Sequence, residues 1–187
     1  KDTSRINSLN TIAEAFIDRA DYKFKRKCDS SMLYAAIAKT EAKKSNYTYG
    51  VAKSLVLLCY CHNLYSFHNR NTQVDNTVNL NKWEDNLKQL FEVTGQVNDA
   101  EIWGRAFENQ SNLMDWKKDT KGSLAALENA EKWFKKAGNI NMEAEMSTLI
   151  GYSYKHTGNY ETSFEHFANA LKLARQASKN VLPGENR

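Results

Sequence analysis

The chain has 187 residues, 26% of them charged, and a net charge of +4, a composition that argues against an intrinsically disordered protein. One proline, eight glycines and the absence of alternating β-branched runs predict long helices and an all-α protein. The mild basic excess argues against nucleic acid as a partner, because nucleic-acid-binding proteins carry a stronger and more one-sided positive charge.

Neither a membrane span nor a disulfide framework is expected within this sequence. The longest apolar run, at 55–61, has seven residues, far fewer than the roughly 18 that a membrane helix needs. We therefore expect membrane contact only through segments outside this sequence. It starts at Lys1 without a methionine, and we expect the native protein to be longer. Cys28, Cys59 and Cys61 are an odd number of cysteines, so at least one thiol is unpaired.

Helical periodicity predicts eight helices in a single domain of residues 1–179, followed by a polar tail at 180–187. In chain order the helices are expected at 5–20, 31–44, 49–66, 81–94, 99–118, 122–137, 142–156 and 160–177. They pair into four hairpins at about 5–45, 48–95, 98–138 and 140–178. The polar stretch 67–79 has the composition of a loop.

Glycine, asparagine and aspartate mark the predicted turns. Gly95, Gly138 and Gly158 stand where a positive φ is useful, since glycine adopts it without steric cost. Asp99 with the preceding asparagine, and Asn159, stand where a side chain would cap the next helix. These residues predict tight connections between successive helices.

A small–large–small pattern repeats along the second helix of each hairpin. Its copies lie 52, 40 and 40 residues apart and consist of Ser31, Ala35 and Ala38; a degenerate copy, Trp83, Leu87 and Leu90; Ser123, Leu127 and Ala130; and Ser163, Phe167 and Ala170. In the first helices, Cys59, Ser111 and Gly151 occupy an equivalent position and are all small, which allows close helix approach. We therefore interpret Cys59 as a small buried residue rather than a reactive thiol. Because stacked hairpins share a continuous core, the repeat predicts an α-solenoid.

The last hairpin carries the strongest family resemblance. Residues 150–173 read IGYSYKHTGNYETSFEHFANALKL, in which small and aromatic residues alternate at fixed offsets across a Gly-Asn turn. This segment resembles the tetratricopeptide repeat (TPR). The resemblance implies a right-handed superhelix of about four TPR-like hairpins, and it implies a binding scaffold, since TPR proteins are more often scaffolds than catalysts.

Two further motifs resemble a narrower group. Residues 2–13, DTSRINSLNTIA, are similar to the D-[ST]-x-R-[VI]-N-x-L-N-x-[LI]-A segment that opens the extracytoplasmic TPR regions of Bacteroidetes-type sensor histidine kinases. Residues 49–55, YGVAKSL, resemble the G-[IV]-A-x-[AS]-L motif of later helices in that group. The resemblance covers most of the chain and is weakest at 69–112. It implies the sensor portion of a membrane-anchored protein whose kinase or DNA-binding output domain lies elsewhere.

No pattern for catalysis, a cofactor or a metal is visible in the sequence. It has no G-x-x-x-x-G-K-[ST] loop, no G-x-G-x-x-G loop and no kinase ATP-binding motif, so this fragment is not expected to be an enzyme or to hold a cofactor. Cys61, His62 and His68 match no common zinc spacing and lack a fourth ligand. The four tryptophans recur at helical spacing, which favours core packing for most of them.

The inner surface of a TPR array is built mainly from the first helix of each hairpin. The resemblance transfers its groove positions to twelve residues: Lys53, Tyr60 and Asn63; Arg105, Glu108, Asn112, Asp115 and Trp116; and Glu145, Tyr152, Lys155 and His156. Aromatic, amide and charged groups of this kind can hold an extended peptide by stacking and hydrogen bonding. The alternative is that these residues form ordinary solvated helix faces.

These observations lead to two functional hypotheses. The first is a non-catalytic periplasmic sensor domain of a two-component histidine kinase, which binds a peptide or protein partner, forms a homodimer, or both. Binding would change superhelical curvature or dimer packing. The alternative is a stand-alone soluble TPR adaptor or peptide-responsive regulator in the cytoplasm. A catalytic role is a distant third hypothesis.

Overall fold

Helices account for almost all of the chain that the structure describes. The computed structural model describes residues 3–18, 24–70 and 75–181. Over these ranges it contains eight α-helices and no strand, which confirms the predicted all-α fold. The helices are α1 (Ser4–Asp18), α2 (Phe24–Lys44), α3 (Thr48–Asn69), α4 (Thr77–Thr94), α5 (Ala100–Trp116), α6 (Thr120–Ala137), α7 (Ile140–His156) and α8 (Tyr160–Val181).

The second helix begins earlier than its local sequence predicts. It begins at Phe24 rather than at Ser31, and the added turns bury Cys28. Lysine and arginine, which fill these turns, are good helix formers. The basic composition of this stretch is therefore compatible with a helix.

The fourth helix also begins early, at Thr77 rather than at Asn81. Tertiary hydrogen bonds favour the early start, because the Asn79 Nδ2 donates to the His62 carbonyl oxygen (2.9 Å) and to the Ser66 Oγ (2.8 Å) on α3. The loop predicted at 67–79 is correspondingly shorter, since α3 continues through residue 69.

Two predicted boundaries reach beyond the described ranges. Residues 19 and 20, expected to end the first helix, lie outside them, and so do residues 182–187 of the predicted polar tail. The first two residues of that tail instead belong to α8, which continues to Val181. The single domain of 1–179 stays a prediction, as does the right-handed superhelix.

The helices divide into two compact units, Lys1–Asn98 and Asp99–Arg187. In the first unit, α2 packs on α1 and α3, α3 packs on α4, and α1 also contacts α3. Its core is apolar and consists of Ala13, Ile17, Ala35, Leu57, Leu58 and Cys61, with Met32, Tyr34, Tyr60 and Leu64 packed around them. Burial of these side chains is the main stabilising term for the unit.

The second unit is built from successive helix pairs. α5 packs on α6, α6 on α7, and α7 on α8. The core between α6 and α7 consists of Leu127, Ala130, Phe134, Met142, Met146 and Ile150, with Phe107, Leu124 and Tyr154 at its edge. Each helix of this unit therefore buries its apolar face against its sequence neighbours, as in helical repeat proteins.

Every helix of the second unit starts from a side-chain cap, and the caps recur every twenty residues. Asp99, Asp119, Asn139 and Asn159 each accept a hydrogen bond from a backbone N–H two or three residues on, at 2.8 to 3.3 Å. This confirms the predicted caps at Asp99 and Asn159, and it shows that the turn chemistry repeats with each helix.

The residue before three of these caps has a positive φ. Gly138 (φ 70°) and Gly158 (φ 81°) confirm the prediction, and Lys118 (φ 61°) holds the equivalent place before Asp119. Gly95 contradicts the prediction, because its φ is −61°. α4 therefore ends with right-handed helical backbone angles at Gly95, and this position does not require glycine.

The repeat pattern identifies buried packing positions. Cys59, Ser111 and Gly151 are all buried, which confirms Cys59 as a small buried residue. Burial also raises the pKa of the Cys59 thiol. The Ser111 Oγ lies 2.9 Å from the Ser123 Oγ across the α5–α6 pair. Small side chains therefore mark the places where helices approach most closely.

Candidate functional site

The predicted groove residues are distributed over both units. Lys53, Tyr60 and Asn63 lie on α3 in the first unit, and the other nine lie on α5 and α7 in the second. The two sets belong to different compact units, and the second set is the larger candidate.

The α3 residues are partly committed to contacts within their own unit. The Lys53 Nζ lies 3.6 Å from a carboxylate oxygen of Glu14 on α1. Tyr60 is half-buried against the first core, and Asn63 is half-buried. Of these three residues, Lys53 and Tyr60 therefore contact other residues of their own unit.

Arg105 lies at the centre of the polar contacts on α5. Its Nη1 donates to the Glu108 Oε2 (3.1 Å), and its Nη2 lies 3.8 Å from the Glu101 Oε1. The guanidinium also lies over the Phe134 ring, 5.4 Å from the centroid. The half-buried side chain is therefore held in place by two carboxylates and a ring.

Glu108 connects this cluster to α7. It is only 9% exposed, and burial raises the pKa of its carboxyl, an effect that the Arg105 charge opposes and the Glu145 charge on α7 reinforces. Glu108 and Glu145 are thus close enough to repel each other. The polar face of α5 and the exposed face of α7 are neighbours.

Two further contacts surround Arg105. The Asn139 Nδ2, at the start of α7, donates to the Glu101 Oε1 (3.3 Å) and ties the beginning of α7 to that of α5. The Asn109 Nδ2 donates to the Arg105 carbonyl oxygen (2.9 Å), while the buried Asn109 Oδ1 has no hydrogen-bond partner among the described residues. An unsatisfied buried carbonyl is costly, so this cluster is not fully compensated.

The face of α7 beside Glu145 is apolar and exposed. Leu149 is 37% exposed and Tyr152 is 49% exposed; both follow Glu145 at helical spacing on one side of the helix. Tyr152 packs edge-on against Phe167 of α8, with ring centroids 5.1 Å apart. We call the set Arg105, Glu108, Asn112, Glu145, Leu149 and Tyr152 the α5–α7 face.

The remaining predicted residues lie near the carboxyl ends of the same two helices. Asp115, Lys155 and His156 are exposed, and Asn112 and Trp116 are half-buried. The spacing of seven residues from Arg105 to Asn112 places both on one side of α5.

Sequence reasoning missed Glu101, Asn109 and Leu149. Glu101 precedes Arg105 by four residues, and this spacing is a recognisable signal for an ion pair on a helix. The unsatisfied Asn109 carbonyl and the exposure of Leu149 depend on neighbouring helices, so no local signal could have found them.

His62, the other polar residue considered from sequence, joins α3 to α4. Its Nδ1 lies 2.7 Å from the Asn79 Oδ1, and burial lowers the pKa of the imidazole. Over the part of the chain that the structure describes, no group of three or more histidine, cysteine, aspartate and glutamate side chains is placed to hold a metal ion. Within the same ranges no helix is both long and apolar enough to span a membrane.

Comparisons with known proteins add little to this description. No protein-family model matches the chain, and no curated protein matches it. Among solved structures, a de novo designed helical repeat protein aligns with 95% of this chain and 93% of its own, at 13% identity and a TM-score of 0.45. A likeness at that level carries no argument, so the helical repeat description rests on the packing and turn periodicity above.

Proposed function

We propose that this chain is a non-catalytic protein-interaction module and that the α5–α7 face binds an extended segment of a partner protein. The observation that carries the proposal is the position of Arg105. It is held half-buried between Glu101 and Glu108. The Glu145 charge on α7 acts on Glu108, and α7 also carries the exposed apolar pair, Leu149 and Tyr152.

Arg105 is suited to binding a peptide because its side chain is already ordered. A guanidinium has five N–H donors, and the two carboxylates and Phe134 fix its plane. A partner carbonyl that accepts a remaining N–H would not incur the usual cost of ordering a long side chain. Asn112, on the same side of α5, can both donate to and accept from a peptide backbone.

The apolar part of the face predicts what the partner presents. Leu149 and Tyr152 offer exposed apolar surface whose burial by a partner side chain is favourable. Glu145 beside them adds an exposed negative charge. We therefore propose a partner segment with an apolar anchor residue flanked by lysine or arginine.

A peptide screen with matched variants tests this proposal. We expect extended peptides with an apolar anchor next to a basic residue to bind, and Tyr152→Ala and Leu149→Ala each to weaken binding by about tenfold or more, measured by fluorescence polarisation. Phe67→Ala removes an exposed aromatic from α3, outside the α5–α7 face, and should leave the affinity unchanged. If both α5–α7 face variants bind the peptide unaltered, with unaltered circular dichroism, the α5–α7 face is not the binding site.

We also propose, on the N-terminal motif alone, that the module is the extracytoplasmic sensor region of a membrane-anchored two-component protein. Signalling would require that the partner bind two conformations of the module with different affinity. The alternative is a stand-alone adaptor in the cytoplasm. The complete reading frame separates them: a leader before Lys1 with a membrane helix after Arg187 supports the sensor, and a start and stop at those residues rejects it.

A further inference from the structure

The last helix exposes a row of large apolar side chains. Tyr160 is 70% exposed, Phe164 is 74% exposed and Leu171 is 53% exposed. Their spacing of four and seven residues places them on one side of the helix. We call these three residues the α8 stripe. A contiguous apolar row with this exposure marks an interaction surface, whereas scattered exposed residues do not.

The internal repeat shows what this side of a helix does elsewhere in the same unit. Forty residues before Phe164, α6 carries Leu124, which packs against the core between α6 and α7. In the second unit α8 packs mainly on α7. The α8 stripe is exposed, so none of the described helices of that unit covers it. The α8 stripe is therefore the position at which another helix would continue the stack.

The charges on α8 identify the helix that fits. Glu161 and Glu165 lie in its first half, Lys172 and Arg175 lie in its second half, and all four are exposed. Ala168 lies midway between Glu161 and Arg175 and next to the midpoint of Glu165 and Lys172. The charge pattern is therefore reversed about Ala168, so a second α8 in antiparallel orientation is complementary to the first.

We infer that α8 is a homodimerisation helix, in which a second copy of this chain covers the α8 stripe about a two-fold axis near Ala168. Antiparallel pairing sets Glu161 opposite Arg175 of the partner subunit, and Glu165 opposite Lys172 of the partner subunit. It also packs Phe164 near Leu171 of the partner subunit, while a parallel pair would oppose like charges. A contact formed by one helix from each copy is small, so the dimer should depend on protein concentration. This inference does not depend on peptide binding at the α5–α7 face.

Oligomeric state provides the first test. Sedimentation velocity of the 187-residue chain from micromolar to several hundred micromolar should show a reversible monomer–dimer equilibrium. Phe164→Glu should shift the dissociation constant upward at least tenfold with unchanged circular dichroism, since the side chain is exposed in the monomer. Phe67→Glu, at another exposed phenylalanine, on α3, should leave the constant unchanged. A monomer at every concentration, or a dimer that Phe164→Glu does not weaken, overturns the inference.

A single cysteine tests the orientation. The described native cysteines are all buried, so an exposed Ala168→Cys should give a covalent dimer under mild oxidation, because the two-fold axis brings the two copies of residue 168 together. The matched control is Ala125→Cys, at an exposed alanine of α6, which should remain monomeric on non-reducing gels. Cross-linking through Phe164→Cys but not through Ala168→Cys would show a different register and overturn the proposed axis. A complex that forms only with another protein at the stripe would also overturn it.

Discussion

The ring of Phe167 occupies the space that a side chain at residue 151 would need. An ideal Cβ built on Gly151 lies 2.8 Å from the Phe167 Cε1 and 2.9 Å from its Cδ1, closer than carbon atoms tolerate. Glycine at 151 thus allows α7 and α8 to pack with the Phe167 ring between them. Tyr152 also packs edge-on against the Phe167 ring.

Gly151→Leu should destabilise the protein by about 1–3 kcal/mol, because the larger side chain must displace the Phe167 ring in a packed interface. The measurement is the urea unfolding midpoint followed by circular dichroism. Gly95→Leu is the matched control, since a Cβ at Gly95 meets nothing within 4 Å, and we expect a change within about 0.5 kcal/mol there. An unchanged midpoint for Gly151→Leu would contradict the close α7–α8 approach.

Lys118→Gly should stabilise the protein by about 1 kcal/mol. Lys118 has a φ of 61°, a left-handed conformation that is unfavourable for residues with a Cβ and free of that cost for glycine. The equivalent turns already use Gly138 and Gly158. Lys117→Gly, one residue earlier at a φ of −79°, should give no gain. Equal effects of the two substitutions in thermal or urea unfolding would count against the backbone explanation.

Glu145→Gln should lower the pKa of Glu108. Burial raises that pKa above its ordinary value of 4.5, and the Glu145 charge raises it further against the opposing effect of Arg105. A carboxyl-detected NMR titration measures the shift directly. Glu143→Gln removes a different α7 carboxylate. The charges that act on Glu108 are those of Arg105 and Glu145, so this variant should leave the Glu108 pKa unaltered. If neither substitution changes the Glu108 pKa, Glu145 does not act on Glu108, and the proposed proximity of the α5 and α7 faces is contradicted.

The sign of the linked stability effect follows from the same shift. The folded protein binds a proton at Glu108 more tightly than the unfolded chain does, so this group makes the free energy of unfolding fall as pH rises from its ordinary pKa through the raised one. Glu108→Gln removes that contribution. The stability of the variant relative to the unsubstituted protein should therefore increase as the pH rises above the ordinary carboxyl pKa of 4.5.

His62→Gln should reduce the loss of stability on acidification. Burial lowers the pKa of His62 below its ordinary value of 6.5, the Lys82 and Lys39 charges lower it further, and the hydrogen bond to Asn79 opposes them. On acidification His62 therefore becomes protonated in the unfolded chain before it does so in the folded chain. The free energy of unfolding consequently falls as the pH drops through about 6.5, by up to about 1.4 kcal/mol per pH unit. Urea unfolding between about pH 5 and pH 7 measures this slope. His68→Gln, at an exposed histidine of the same helix, should keep the original slope, and equal slopes for both variants would contradict the prediction.

Local sequence predicted the features that depend on a few neighbouring residues. The helices, the caps at Asp99 and Asn159, and the positive φ at Gly138 and Gly158 follow from propensity and turn chemistry. The burial of Ser123 and Leu127 follows from a pattern that repeats every forty residues. The early start of α4 did not follow, because Asn79 is stabilised by hydrogen bonds to residues of another helix.

The same distinction between local and tertiary features applies to the candidate site. The sequence by itself determined an all-α repeat and which residues of α5 and α7 share a helix face, since helical spacing alone decides both. Only the tertiary structure decided that Glu108 is buried against Arg105, that Asn109 has an unsatisfied carbonyl, and that Phe164 remains exposed. Burial depends on which helices pack together, and the spacing of residues within one helix does not specify which other helices will cover it.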